Sequence, residues 1–179
     1  MTDLTRALLS AAADLLAAHG FRRLRMSDVA TRAGVSRQTV YNEFGNKERI
    51  VQAVAQYKTE EFLDGVRERL AGTPDRLGAV RAAVEFVFDM ASRDPLTNSV
   101  LSGTHAEDML PLVTTRGHPV LTAGTAVFLE HVRLHWPSLP AEQAELIAET
   151  VVRIIISHLL TPRHDGVHAV VTVTTALLT

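Results

Sequence analysis

Apolar residues recur at helical spacing along nearly the whole chain. From about Leu4 to His19, the positions Leu4, Leu8, Ala11, Ala12, Leu15 and Leu16 share one face, and Gly20 follows as a stop. Two short helices come next within residues 27–47 (SDVATRAGVSRQTVYNEFGNK), joined at Ala33-Gly34-Val35. Ser27 is placed to cap the first and Ser36 the second, each offering an oxygen to a free backbone amide. Gly34 can take the positive φ that ends a helix and turns the chain. Val29, Ala30, Ala33, Val35, Val40 and Phe44 supply the apolar positions that would pack this pair. Asn46 is placed to cap a fourth helix from Lys47 to about Leu70, buried near Ile50, Val51 and Val54 and mixed from Tyr57 onward. After the break at Gly72-Thr73-Pro74, Thr73 would cap and Pro74 would open a fifth helix running to about Ser92.

From Pro95 to Pro119 the pattern is poor, which predicts one or two short helices with irregular turns. A seventh helix is expected from Pro119 to His135. An eighth, from Pro140 to about Thr161, carries the widest apolar stripe, with Leu146, Ile147, Val151, Ile154, Ile155, His158 and Leu159. Val167 to Leu178 fits a strand or a helix equally well by spacing. A lone strand in a helical chain has no pairing partner, so a helix is expected. The reading is an all-α fold of about nine helices. Residues 1–46 would form a three-helix, helix-turn-helix head, and 47–179 a helical body for ligand binding and dimerisation.

Composition narrows the function classes. The chain has 179 residues and no cysteine, so disulfides, thiolate metal sites and cysteine nucleophiles are excluded. No stretch approaches the ~20 apolar residues of a membrane span, and no signal-like segment opens the chain. A cytoplasmic protein with no membrane partner is the expectation. The net charge of −2 conceals an asymmetry. In residues 1–50, Arg6, Arg22, Arg23, Arg25, Arg32, Arg37, Lys47 and Arg49 outnumber Asp3, Asp14, Asp28, Glu43 and Glu48, while the remainder is acidic. A basic head on an acidic body suits a reader of nucleic acid.

The outward face of the second short helix carries Arg37, Gln38, Thr39, Tyr41 and Asn42. Such a helix can enter a DNA major groove. Arg37 can offer two donors to guanine O6 and N7, and Gln38 can pair with adenine N6 and N7, at ~1–3 kcal/mol of discrimination each. Thr39 can meet a thymine methyl or a phosphate. Ser27, Tyr41 and Lys47 suit phosphates, which fix register without reading sequence. One head offers few contacts. Two heads in successive grooves, about 34–36 Å apart, would require a palindromic double-stranded operator and a homodimer.

These residues resemble the TetR-type transcriptional repressor family over roughly Leu4 to Val54. The likeness rests on Gly20-Phe21, Ser27-Asp28-Val29-Ala30, Ala33-Gly34-Val35-Ser36, Thr39-Val40-Tyr41, Phe44 and Asn46-Lys47-Glu48. It implies a three-helix DNA-binding head, a body that dimerises and binds a small effector, and repression relieved when that effector binds. The sequence departs from the family pattern at Gln38 and Glu43. An acidic Glu43 would repel phosphates unless it points inward or pairs with Arg49 or Lys47, so it is not among the expected DNA contacts.

In the body, Phe86, Phe88, Met90, Met109, Leu110, Leu121, Phe128 and Trp136 are candidate lining residues for a lipophilic effector, with the irregular 95–118 stretch as entrance or lid. Ile147, Val151, Ile154 and Leu177 are candidates for a dimer contact. His131 with His135, and His164 with His168, have a spacing that can hold a metal, but no third ligand is evident. No metal and no cofactor is therefore expected. No phosphate loop, Gly-Xaa-Gly turn or nucleophile elbow is present, so no enzyme is expected. The alternatives are a constitutive or architectural DNA-binding dimer without a ligand, or a metal-responsive regulator using the body histidines.

Overall fold

The computed structural model describes residues 1–72, 74–104, 107–162 and 165–178. Among them are nine α-helices and no strand. These are α1 (Asp3–Arg23), α2 (Met26–Ala33), α3 (Arg37–Phe44), α4 (Lys47–Ala71), α5 (Arg76–Arg93), α6 (Pro95–Ser102), α7 (His118–His135), α8 (Ala141–Leu160) and α9 (Gly166–Leu178). A short 3₁₀ helix, Glu107–Leu112, lies between α6 and α7. The C-terminal Val- and Thr-rich segment is helical, as expected. Its buried Thr174 hydroxyl donates to the Val170 carbonyl 2.8 Å away, which satisfies it within the helix.

The chain divides into two compact units, Met1–Glu60 with Ser92–Leu112 and Glu61–Ala91 with Val113–Thr179. This differs from a division at residue 46, because α6 and the 3₁₀ helix pack on α1. The first unit is built on Leu8, Leu16, Val29, Val40, Ile50 and Val54, all essentially inaccessible to water. The second is built on Val80, Val84, Phe128, Val132, Ile147, Val151 and Val170. The 95–118 stretch, expected as a lid, places α6 and the 3₁₀ helix in the first unit.

Local chemistry sets the helix starts. Thr2 caps α1 by accepting the Thr5 amide, Ser36 caps α3 by accepting the Thr39 amide, and Asn46 accepts the Arg49 amide at the start of α4. Gly20 interrupts α1 at φ 72°, and one further turn follows it. Two expected caps are corrected. Ser27 lies inside α2, whose N-cap is Arg25: Met26 is buried, and the helix starts two residues earlier than a Ser27 cap would give. The fifth helix opens at Arg76, with Asp75 accepting the Leu77 and Gly78 amides, so Pro74 precedes the helix. Thr73, the expected cap, lies outside the described residues.

Candidate nucleic-acid interface and apolar cavity

The α2–α3 corner is fixed by backbone chemistry. Gly34 adopts φ 69°, ψ 30° and closes α2 by donating to the Thr31 carbonyl, while the Val35 amide donates to Ala30. This paired arrangement satisfies two carbonyls at the helix end and requires the left-handed residue that glycine supplies. Val40 and Phe44 are buried beneath α3. Arg37, Gln38 and Asn42 are exposed, and Thr39 and Tyr41 half-buried.

These side chains are organised in pairs one helical turn apart. The Arg37 guanidinium lies 5.1 Å from the Tyr41 ring centre and donates to its hydroxyl at 3.2 Å. Gln38 Nε2 donates to Asn42 Oδ1 at 2.8 Å. The Thr39 hydroxyl bonds that of the Ser36 cap at 2.9 Å. Ser27 is exposed and its hydroxyl donates to Asp28 at 3.3 Å.

Lys47 is half-buried: its ammonium donates to the Arg22 carbonyl at 3.1 Å and sits 4.4 Å from the Phe21 ring centre. In this conformation it ties the end of α1 to the start of α4. Glu43 is paired, but with neither expected cation. It accepts the Thr5 hydroxyl from α1 at 2.6 Å, because the start of α1 lies beside the end of α3.

A basic corner, which helical spacing alone does not reveal, adjoins these residues in the sequence. Arg22, Arg23 and Arg25 are all exposed around the start of α2. Arg22 also pairs with Asp108 at 3.4 Å. The signal for this corner was the run Arg22-Arg23-Leu24-Arg25, in which Leu24 alone turns inward.

Within the second unit, α4, α5, α7 and α8 enclose a cavity of about 120 Å³. Its wall is formed by Phe62, Leu63 and Val66 from α4, Val80, Ala83, Val84 and Val87 from α5, Val120, Gly124 and Phe128 from α7, and Val151, Val152, Ile155, Ile156 and Leu159 from α8. Of the expected lining residues, Phe128 is part of this wall. Phe86 is instead held between the Arg69 guanidinium, 4.5 Å from its ring centre, and Phe62, at 6.0 Å, with Gly65 leaving room for the ring. Phe88 packs against Gly166 at the start of α9. Met90 is half-buried on α5, and Leu121 and Trp136 belong to the surrounding core. Met109 and Leu110 lie in the first unit. The wall is mostly β-branched because four helices converge there, a property of packing that the position of aromatics along the chain does not reveal.

The expected dimer residues separate. Ile147 and Val151 are 4% and 1% exposed within one chain, covered by its own helices, so they are core rather than a contact with a second copy. Ile154 is half-buried, whereas Leu177 on α9 and Leu146 on α8 are exposed.

His131 and His135 come together with ring centres 4.4 Å apart. His131 is buried against Phe128 and Trp136, and its Nε2 lies 3.5 Å from the Arg76 carbonyl. Burial holds this imidazole below its ordinary pKa, the Arg76 carbonyl opposes that, and His135 adds to the lowering. Among the described residues no group of three metal-ligating side chains forms. His168 is exposed on α9, and His164 lies outside the described residues. No described helix is long and apolar enough to cross a membrane.

Comparison with known proteins matches both parts of the chain. Residues 8–54 match the family of bacterial regulatory proteins of the tetR type, and residues 75–179 match the C-terminal domain of bacterial tetracycline repressors. The HTH-type transcriptional regulator AlkX of Mycobacterium tuberculosis is 31% identical over 156 residues, spanning 87% of this chain and 74% of that protein. The HTH-type transcriptional activator FasR of Mycolicibacterium smegmatis is 37% identical over 87 residues, 49% of this chain and 40% of that protein. The crystal structure of the TetR family repressor AlkX from a Dietzia strain, implicated in biodegradation of n-alkanes, aligns with a TM-score of 0.73. It has 30% sequence identity and covers 97% of this chain and 92% of that one.

Proposed function

The chain belongs to the TetR family of helix-turn-helix, DNA-binding transcriptional regulators, and from that premise we propose that it is a ligand-responsive repressor. It binds a palindromic operator as a homodimer and is released by a small lipophilic effector. The observation that carries the DNA half is the exposed polar face of α3, held by the Ser36 cap and the Gly34 turn. In this reading Arg37 and the Gln38–Asn42 pair address base edges in the major groove. Thr39 contributes a methyl or a phosphate contact. Ser27, Tyr41 and Lys47 serve phosphates, Lys47 after leaving the Arg22 carbonyl, and the Arg23–Arg25 corner extends the same phosphate track.

The observation that favours an effector is the apolar cavity among α4, α5, α7 and α8. Repression as the sign of regulation, and an effector related to hydrocarbon metabolism, are supported by the Dietzia AlkX relative. The exposed Leu146, Val173 and Leu177 of α8 and α9, with half-buried Ile154 beside them, suit a contact between two copies. Release works as a population shift. An effector that lowers operator occupancy a hundredfold must prefer the DNA-incompetent dimer by ~2.7 kcal/mol.

Selection from random duplex DNA by the purified protein, at one fixed salt concentration, tests this. One inverted repeat with half-sites a helical turn or two apart is expected. Enrichment without symmetry would refute the dimeric reader, and no enrichment from protein freed of small molecules would refute sequence recognition altogether.

A further inference from the structure

We propose that the effector enters the cavity by an unfunctionalised hydrocarbon end, and that Gly124 sets how far that end reaches. This inference rests on reading the cavity as the effector site. The wall contains Val, Leu, Ile, Ala, Gly and Phe only, so no side chain offers a hydrogen-bond donor or acceptor. The wall's backbone lies within helices, where amides and carbonyls are already paired along the helix axis. A hydroxyl, carbonyl or charge carried inside would leave water and find no partner. The cavity therefore excludes polar groups by chemistry, and it accepts CH₂ and CH₃ groups.

Burial gives the cavity a direction. Val80, Phe128 and Val151 are core residues, while Phe62, Val120 and Leu159 are half-buried; on the packed α7 and α8, Val120 and Leu159 each stand about two turns from Phe128 and Val151, which separates a half-buried end from a buried one. A polar head, where the ligand has one, remains at the half-buried end and the alkyl terminus points to the core. The volume limits what fits. An apolar cavity of about 150 Å³ holds a benzene molecule. The cavity of about 120 Å³ therefore takes on the order of six carbons before the wall must move.

Gly124 stands partway along α7, between Val120 and Phe128. A Cβ there would lie 3.2 Å from Val152 Cγ1 across the wall. Valine has essentially one χ1 rotamer in a helix, so Val152 cannot swing aside cheaply. A methyl at residue 124 closes the passage between the half-buried and buried ends. Removing the Val152 methyls widens it.

The test is calorimetric titration of the full-length protein with 1-octanol and with 1,8-octanediol. These have the same chain, with a methyl or a hydroxyl at the far end. The proposal expects 1-octanol to bind and the diol to bind roughly a hundredfold more weakly. Gly124→Ala should lower 1-octanol affinity at least about tenfold and move the preferred alkanol to a shorter chain. Val152→Ala should move the preferred alkanol to a longer chain. Equal affinity for octanol and octanediol would overturn the hydrocarbon-end orientation and leave the cavity as an effector site. An unchanged length preference in both variants would overturn the role of Gly124. Binding of none of these alcohols by the native protein would overturn the effector reading of the cavity itself.

Discussion

In the first compact unit, Thr2, Ser36, Asn46 and Asp94 each accept an amide from the helical turn that follows them. In the second, α7 and α8 begin at Gly117 and Pro140 without a side-chain cap, Asp75 before α5 being the exception. Both units have an apolar core; in the first, α2 apart, helix starts are set by directional bonds, and in the second apolar packing leaves a void. Directional bonds tolerate little displacement, which suits side chains that must meet a groove of fixed dimensions. Apolar packing has no preferred direction, so a cavity wall can admit a ligand without breaking specific bonds.

The contrast is broken most severely at Lys58. Its ammonium bonds the buried Asp94 carboxylate at 2.6 Å, and Asp94 also accepts the Thr97 amide and hydroxyl at the start of α6. Burial pushes this carboxyl up, but Lys58 and Thr97 together outweigh burial and hold it below the ordinary aspartate range. Lys58→Met removes the counter-charge of this buried carboxylate and leaves it to Thr97, and should cost about 3–5 kcal/mol of stability, measured by urea unfolding. A cost near zero would mean that directional bonds do not hold the first unit.

Next in size, Ile147→Ala should cost about 2–5 kcal/mol through cavity formation, with unchanged self-association by analytical ultracentrifugation. Weaker self-association at unchanged chain stability would return Ile147 to a dimer contact. Arg37→Ala should cost about 1–3 kcal/mol of discrimination at its base position and leave non-specific DNA binding nearly intact. Uniform loss over all sequences would assign Arg37 to phosphates.

Acidification sharpens the comparison further. The folded state disfavours charging His131, so the unfolded chain takes up the proton first as pH falls. The second unit should keep its full stability above about pH 6.5 and lose part of it as pH drops through the window below that. Asp94 gives the first unit its corresponding loss only at lower pH, below the ordinary aspartate pKa. Trp136, the sole tryptophan, lies 5.9 Å from His131 by ring centres and reports the second unit by fluorescence. His131→Gln should flatten its pH dependence, and an unaltered dependence would place the titrating group elsewhere. Smallest of all, Arg25→Ala should reduce the slope of log affinity against log salt by about one without altering the selected sequence.

The head was legible in the sequence because its signals are local. Ser36, Gly34 and Asn46 act within four residues of themselves, so their roles follow from spacing. The cap falls at Arg25, two residues before Ser27, because the burial of Met26, a tertiary fact, outweighs a local preference for a polar cap. Glu43 likewise found Thr5, 38 residues away, where sequence reasoning offered only neighbouring cations. The body was legible as helices but not as a site. Which valines line a void depends on how α4, α5, α7 and α8 converge, and the aromatics Phe86 and Phe88 fill gaps beside glycines instead. The wide stripe of α8 suggested two partners, yet the chain's own helices bury Ile147 and Val151.

The paired side chains on α3 carry a consequence for how the protein searches a chromosome. In free protein, Gln38 and Asn42 satisfy part of each other's bonding, and Arg37 rests on Tyr41. Under the proposed reading, these groups would fall back on one another at a wrong sequence and would not be stranded against a mismatched base. The penalty for each wrong stop would then be softened, which favours sliding past it. If α3 reads bases as proposed, the same softening would make the code forgiving, with operators that differ at one position still readable.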